Sequence, residues 1–147
     1  MARHFLGAPV EGKMTPTLWV HLAPLSVIPL SMLALLKTTG DASLLRYGSL
    51  VAAAFLGAAL WWLVLAVSMT IHNRRQGKLP FALSWWAFVF PIGACSVLAY
   101  RVSELLALEV LPLVASGLTL LALFVWSATA LGTVRGIRTG AIFAPAH

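Results

Sequence analysis

The sequence predicts an all-α integral membrane protein with four transmembrane helices arranged as two hairpins. Two observations carry this. The 147 residues are 61% hydrophobic and only 10% charged, where a soluble domain carries about 25% charged residues. The few charges also leave four long gaps: 23 residues between Lys13 and Lys37, 27 between Arg46 and Arg74, 22 between Lys78 and Arg101, and 25 between Glu109 and Arg135. About 20 apolar residues cross the hydrocarbon core. A soluble bundle would need polar outer faces, and these segments have none to offer.

The spans fall near residues 17–36, 48–72, 81–100 and 110–134. Residues 1–16 form an N-terminal arm, 17–138 the transmembrane domain and 139–147 a tail. Helix 1 carries Pro24 and Pro29, and helix 3 carries Pro91. Helix 2 has no proline, and helix 4 has only Pro112 in its first turn, where a missing N–H costs little. A bent helix followed by a straight one occurs twice, a weak internal repeat of the kind transport proteins show. An interior proline frees the carbonyl four residues earlier, here Val20, Leu25 and Ala87. Such carbonyls belong in protein or beside a wet path rather than in lipid. Helices 1 and 3 are therefore expected to be inner and helices 2 and 4 to face lipid. The alternative is that the prolines only shape packing.

The net charge of +6 is no nucleic-acid footprint, because the basic residues sit at helix ends. Arg3, Lys13, Arg74, Arg75, Lys78, Arg135 and Arg138 fall on one side of a four-span topology, and Lys37, Arg46 and Arg101 on the other. The positive-inside rule puts the seven in the cytoplasm, with both termini. Arg74, Arg75 and Lys78 can meet anionic headgroups, with Trp85 and Trp86 in the aromatic belt nearby. Trp61 and Trp62 read as packing bulk within helix 2. "MARHFLGAPVEGK" makes no convincing secretory signal, since Gly7, Pro9 and Glu11 break its apolar part. Cys95 reads as a small apolar filler.

Catalytic chemistry is missing. There is no CxxC, HExxH, phosphate-binding loop or dinucleotide fingerprint, so no enzyme, metal or cofactor is predicted. A pair of His21 and His72 near one face is conceivable as a ligand set, but metal sites usually want three or four ligands. No carboxylate lies within a span, which disfavours a carboxylate proton relay and suits a path for anions. Phe90 beside Pro91 either fills the space next to a bend or plugs a constriction.

"PTLWVHLAPLSV" (16–27) and, one hairpin later, "LSWWAFVFPIGACS" (83–96) resemble the tellurite-resistance/dicarboxylate transporter family. This family includes bacterial TehA-type proteins, the yeast malate permease, fungal sulfite pumps and the plant slow anion channels. The resemblance runs from about residue 16 to about 138 and matches the family's helices seven to ten. It implies part of a ten-helix, five-hairpin pore in which bent odd helices line the path, and trimeric assembly. It implies transport of small anions: a C4-dicarboxylate, a tellurite-like oxyanion or a halide. It implies a phenylalanine gate beside a proline bend, which falls on Phe90, with Pro24, Ser26, Val27, Ser31, Pro91, Ala94 and Val97 as lining. Expected partners are membrane lipid, small anions, and either further copies or a companion chain that supplies the six helices the family has beyond these four. The expected location is the cell (inner) membrane. Rival readings stand beside this one: a non-transporting four-helix assembly subunit or a truncated fragment, and, behind these, a membrane redox protein.

Overall fold

The computed structural model describes residues 19–76 and 83–140. Four α-helices make up this part: α1 (Leu22–Thr38), α2 (Ala42–Arg75), α3 (Val89–Leu106) and α4 (Leu111–Thr139), with a 3-10 segment (Leu83–Phe88) leading directly into α3. The chain is all-α, as expected. Among the described residues, three stretches are long and apolar enough to cross a membrane: α2, the continuous Trp85–Leu106 stretch, and α4. The apolar helix α1, 17 residues long, rises about 25 Å, at the short end of what spans a bilayer.

Each boundary has a local cause. The first turn ends at Asp41, whose carboxylate accepts hydrogen bonds from the Ser43 and Leu44 amides at 2.8 and 3.1 Å. This cap starts α2 six residues before the expected 48 and brings Arg46 into the helix. At its far end, His72, Arg74 and Arg75 sit in the last turn, where cations complement the helix dipole. Gly40 turns the chain between α1 and α2 with φ +71°. The α3–α4 turn uses Ala107 in the left-handed region, φ 52°. There the Leu108 amide donates to the Ser103 carbonyl at 3.3 Å and the Ser103 hydroxyl donates to the Leu108 carbonyl at 3.2 Å.

The expected interior bends need correcting. Pro24 is the third residue of α1 and Pro91 the third of α3, so both lie in first turns, whose amides have no partner within the helix. Only Pro29 is interior. Before Pro91 the backbone runs as 3-10 helix, and α3 opens two residues before the proline, so position 91 falls among the first-turn amides that need no partner in the helix. The expected break is thus a change of helix type rather than a bend in a continuous α-helix. The repeat between hairpins is more regular than the prolines alone implied, since both first helices carry proline at the same position.

The hairpins are antiparallel internally, and α1 runs parallel to α3. Trp19 meets Phe88 at one end, Ser26 meets Cys95 in the middle, and Ala34 and Lys37 share a cavity with Arg101 and Leu105 at the turn end. α2 packs behind both α1 and α3, while α4 flanks α3. The packed face of α2 is Ser49, Ala52, Leu56, Ala59, Leu63 and Ala66, spaced three and four residues apart with alanine alternating with leucine. The small residues let backbones approach closely, which is how helices gain packing energy in lipid. α3 is the centre: 44% of its span is buried, against 28% for α2 and 11% for α4. Exposed Leu113, Leu120, Leu123, Phe124, Trp126 and Leu131 cover α4. Trp61, read as packing bulk, is instead 67% exposed on α2, while Trp62 lies against the His21 ring, 5.5 Å between centroids.

Candidate functional site

On α1, the buried residues Leu22, Ser26, Pro29 and Leu33 form one face, and Pro24, Val27, Ser31 and Leu35 form the opposite, exposed one. On α3, Pro91, Ile92, Cys95, Leu98, Ala99 and Val102 are buried, and Phe90 and Val97 are exposed at 64% and 50% with half-buried Ala94 between them. Phe90, Ala94 and Val97 are spaced i, i+4, i+7, a single stripe on a helix. α2 covers the back of the α1–α3 pair. The α1 stripe lies opposite that helix's own packed face, and on α3 Val97 borders a cavity shared with Thr119, Ala122 and Trp126 of α4.

The predicted lining residues divide accordingly. Pro24, Val27, Ser31, Phe90 and Val97 are exposed and Ala94 is half-buried. Pro91 and Ser26 turn inward. The Ser26 hydroxyl donates to the Leu22 carbonyl at 3.1 Å, the back-bond that serines make in helices, and it also meets the Cys95 thiol. Ser31 is exposed, and its hydroxyl makes no hydrogen bond among the described residues.

Phe88 and Phe90 differ sharply. Phe88 is 4% exposed, held edge-on by Trp19 at 5.1 Å and Trp85 at 5.7 Å. Trp19 in turn donates its indole N–H to the Thr70 hydroxyl at 3.0 Å, pinning the start of α1 to α2. The backbone carries α3 out of this aromatic knot with Phe90 facing away from it. Sequence reasoning missed this knot. It also missed the polar clamp between α3 and α4, where the Ser96 hydroxyl lies 2.9 Å from the Ala115 carbonyl and 2.7 Å from the Thr119 hydroxyl. Spacing within one helix gives no sign of either.

Among the described residues, α1 carries no charge before Lys37 and α3 none before Arg101. At the turn end, Lys37, Arg101 and Glu104 line a cavity of about 220 Å³. His21 is engaged with Trp62 and His72 with Gln76, and the described residues hold no cluster of three His, Cys, Asp or Glu suited to a metal.

Residues 1–134 match the family model described as voltage-dependent anion channel, SLAC1. The chain belongs to the SLAC1 family. This family, the one the sequence motifs pointed to, is one of membrane channels and transporters rather than enzymes, and the chain is a multi-pass membrane protein of it. Among curated relatives, the chain is 29% identical over 141 residues to the uncharacterized transporter MJ0576 of Methanocaldococcus jannaschii, and 28% identical over 141 residues to MJ0762 of the same organism. Both alignments cover 96% of this chain and 41% of the relative, so the SLAC1-family chain spans about two fifths of their length. No solved structure matches it.

Proposed function

We propose that this chain supplies part of a transmembrane path for small anions, with a groove framed by the exposed stripes of α1 and α3 as its wall and Phe90 as its gate. Membership of an anion-channel family supports the ligand class. The observation that carries the gate is the exposure of Phe90 on the most buried helix, on one stripe with Ala94 and Val97. An aromatic ring that only filled space would sit, like Phe88, among neighbours. In a complete path the Phe90 ring closes the narrowest part, and Pro24, Val27, Ser31, Ala94 and Val97 line what lies above and below it. The lack of charge along the groove fits: at about 5 Å and an effective dielectric near 20, a carboxylate would oppose an anion by about 3 kcal/mol.

Candidate cargoes are C4-dicarboxylates, tellurite-like oxyanions and halides. The domain plan of cytoplasmic arm (1–16), transmembrane domain (17–138) and cytoplasmic tail (139–147) in a cell membrane belongs to the same proposal, with the hairpin turns outside. One groove encloses nothing, so the path needs further helices, from further copies or from a companion chain; family resemblance implies trimeric assembly with one path in each subunit. The test is flux of chloride, malate and tellurite into liposomes holding the purified chain, with and without a co-expressed chain carrying further family helices. Saturable anion flux in either case supports the path. Its absence in both, with folded protein present, removes it and leaves an assembly subunit.

A further inference from the structure

Arg101 stands eleven residues after Phe90, on the same stripe of α3 as Phe90, Ala94 and Val97, and about 16 Å along the axis. It is thus the first charge met on that wall toward the turn end. Across the α1–α3 seam, Lys37 lines the same cavity of about 220 Å³ and makes no ion pair with a described residue. Glu104 pairs with Arg101 at 3.0 Å, with side chains 58% and 62% exposed for Arg101 and Glu104. An exposed pair three residues apart on a helix holds weakly, so the guanidinium stays open to solution. Of the other carboxylates at this end, Asp41 is committed to capping α2, and Glu109 lies in the α3–α4 turn, outside the cavity lining.

We propose that Lys37 and Arg101 form an anion-collecting mouth in the cavity that α1, Leu45 of α2 and α3 line at the turn end, and that Glu104 damps it by occupying part of Arg101. The inference rests on the anion-path reading, but it concerns a binding site that exists whether or not the path is complete. Two cations converging on one cavity favour small anions, and divalent ones above monovalent at equal ionic strength. Within the cavity lining the two cations outnumber the single carboxylate, Glu104, and this local excess concentrates anions there.

The experiment uses the whole chain in nanodiscs. Ala34, exposed on the cavity wall, is replaced by cysteine in a Cys95→Ser background and labelled with bimane. Quenching by iodide is compared with quenching by neutral acrylamide at low ionic strength, where screening extends over roughly 30 Å. One unit charge about 8 Å from the label changes local iodide about twofold. The mouth predicts that Glu104→Gln raises the iodide-to-acrylamide ratio about twofold. It predicts that Lys37→Gln and Arg101→Gln each lower the ratio, and that sulfate suppresses iodide quenching more than chloride at matched ionic strength. That preference should be lost in either cation variant. Ratios insensitive to Lys37→Gln and Arg101→Gln, or sulfate acting no better than chloride, overturn the mouth. The readout needs no transport, so absent flux bears on the path alone.

Discussion

Phe88 and Phe90 stand two residues apart, and the fold assigns them opposite energetic roles. Truncating a buried phenylalanine to alanine costs about 3–5 kcal/mol in soluble cores. In a bilayer or micelle part of that vanishes, because the surroundings of the unfolded helices are as apolar as the core. What remains is lost dispersion and lost ring–ring contact, the latter about 0.5–1.5 kcal/mol for each pair. Phe88 touches two rings, Trp19 and Trp85, so Phe88→Ala is expected to cost about 2–3 kcal/mol. Phe90 is 64% exposed and enters no ring pair among the described residues. Phe90→Ala is expected to cost less than about 1 kcal/mol, roughly a third of the full value. Both can be measured by titrating the purified chain in dodecylmaltoside with sodium dodecyl sulfate and following tryptophan fluorescence. If Phe90→Ala loses as much stability as Phe88→Ala, Phe90 is packed and the groove is misplaced.

Three further expectations follow from other parts of the structure. Ser96→Ala removes the clamp to Ala115 and Thr119 and should destabilise by about 0.6–1.7 kcal/mol, the range for polar contacts between membrane helices; a neutral effect in the same titration would show the clamp to be idle. Ala107 holds a left-handed conformation that costs a non-glycine residue about 1–2 kcal/mol, partly offset by glycine's larger unfolded freedom. Ala107→Gly should therefore stabilise by roughly 0.5–1 kcal/mol, and destabilisation in the micelle titration would contradict the turn geometry. For topology, the seven-to-three Lys and Arg bias predicts that single cysteines at Asp41 and Glu104, in a Cys95→Ser background, react with an impermeant thiol reagent in intact cells. A cysteine at Gln76 should not react, and the reverse pattern inverts the orientation.

Much of this architecture is readable from charge and proline positions, because lipid tolerates few alternatives. Uncharged runs of more than 20 residues have to span, and the short turns between them force hairpins. The motifs around Pro24 and Pro91 were also enough to point to the family. What stayed hidden depends on chain direction and neighbours. Pro24 and Pro91 are visible as breakers, but whether a breaker bends a helix or starts one depends on the preceding backbone, here 3-10 before Pro91. Ser26 and Ser31 look alike in sequence; five residues put them on opposite faces, and only the position of α3 decides which is inward. Trp61 and Trp62 are adjacent and hence about 100° apart on the helix, so one packs on His21 while the other faces out. In an apolar span, periodicity is weak, since lipid-facing and buried positions take the same residue types.

The central claim, that the exposed ring on α3 closes an anion path, is tested most directly by anion flux through a conducting assembly containing this chain. Flux of wild type, Phe90→Ala, Phe90→Leu and Phe88→Ala is compared, each normalised to folded protein. The account predicts that Phe90→Ala raises flux most, Phe90→Leu raises it less, and Phe88→Ala leaves flux per folded molecule unchanged. Raised flux from Phe88→Ala with none from Phe90→Ala would move the gate by two residues. No change from either would make the ring beside Pro91 mere packing and contradict the claim.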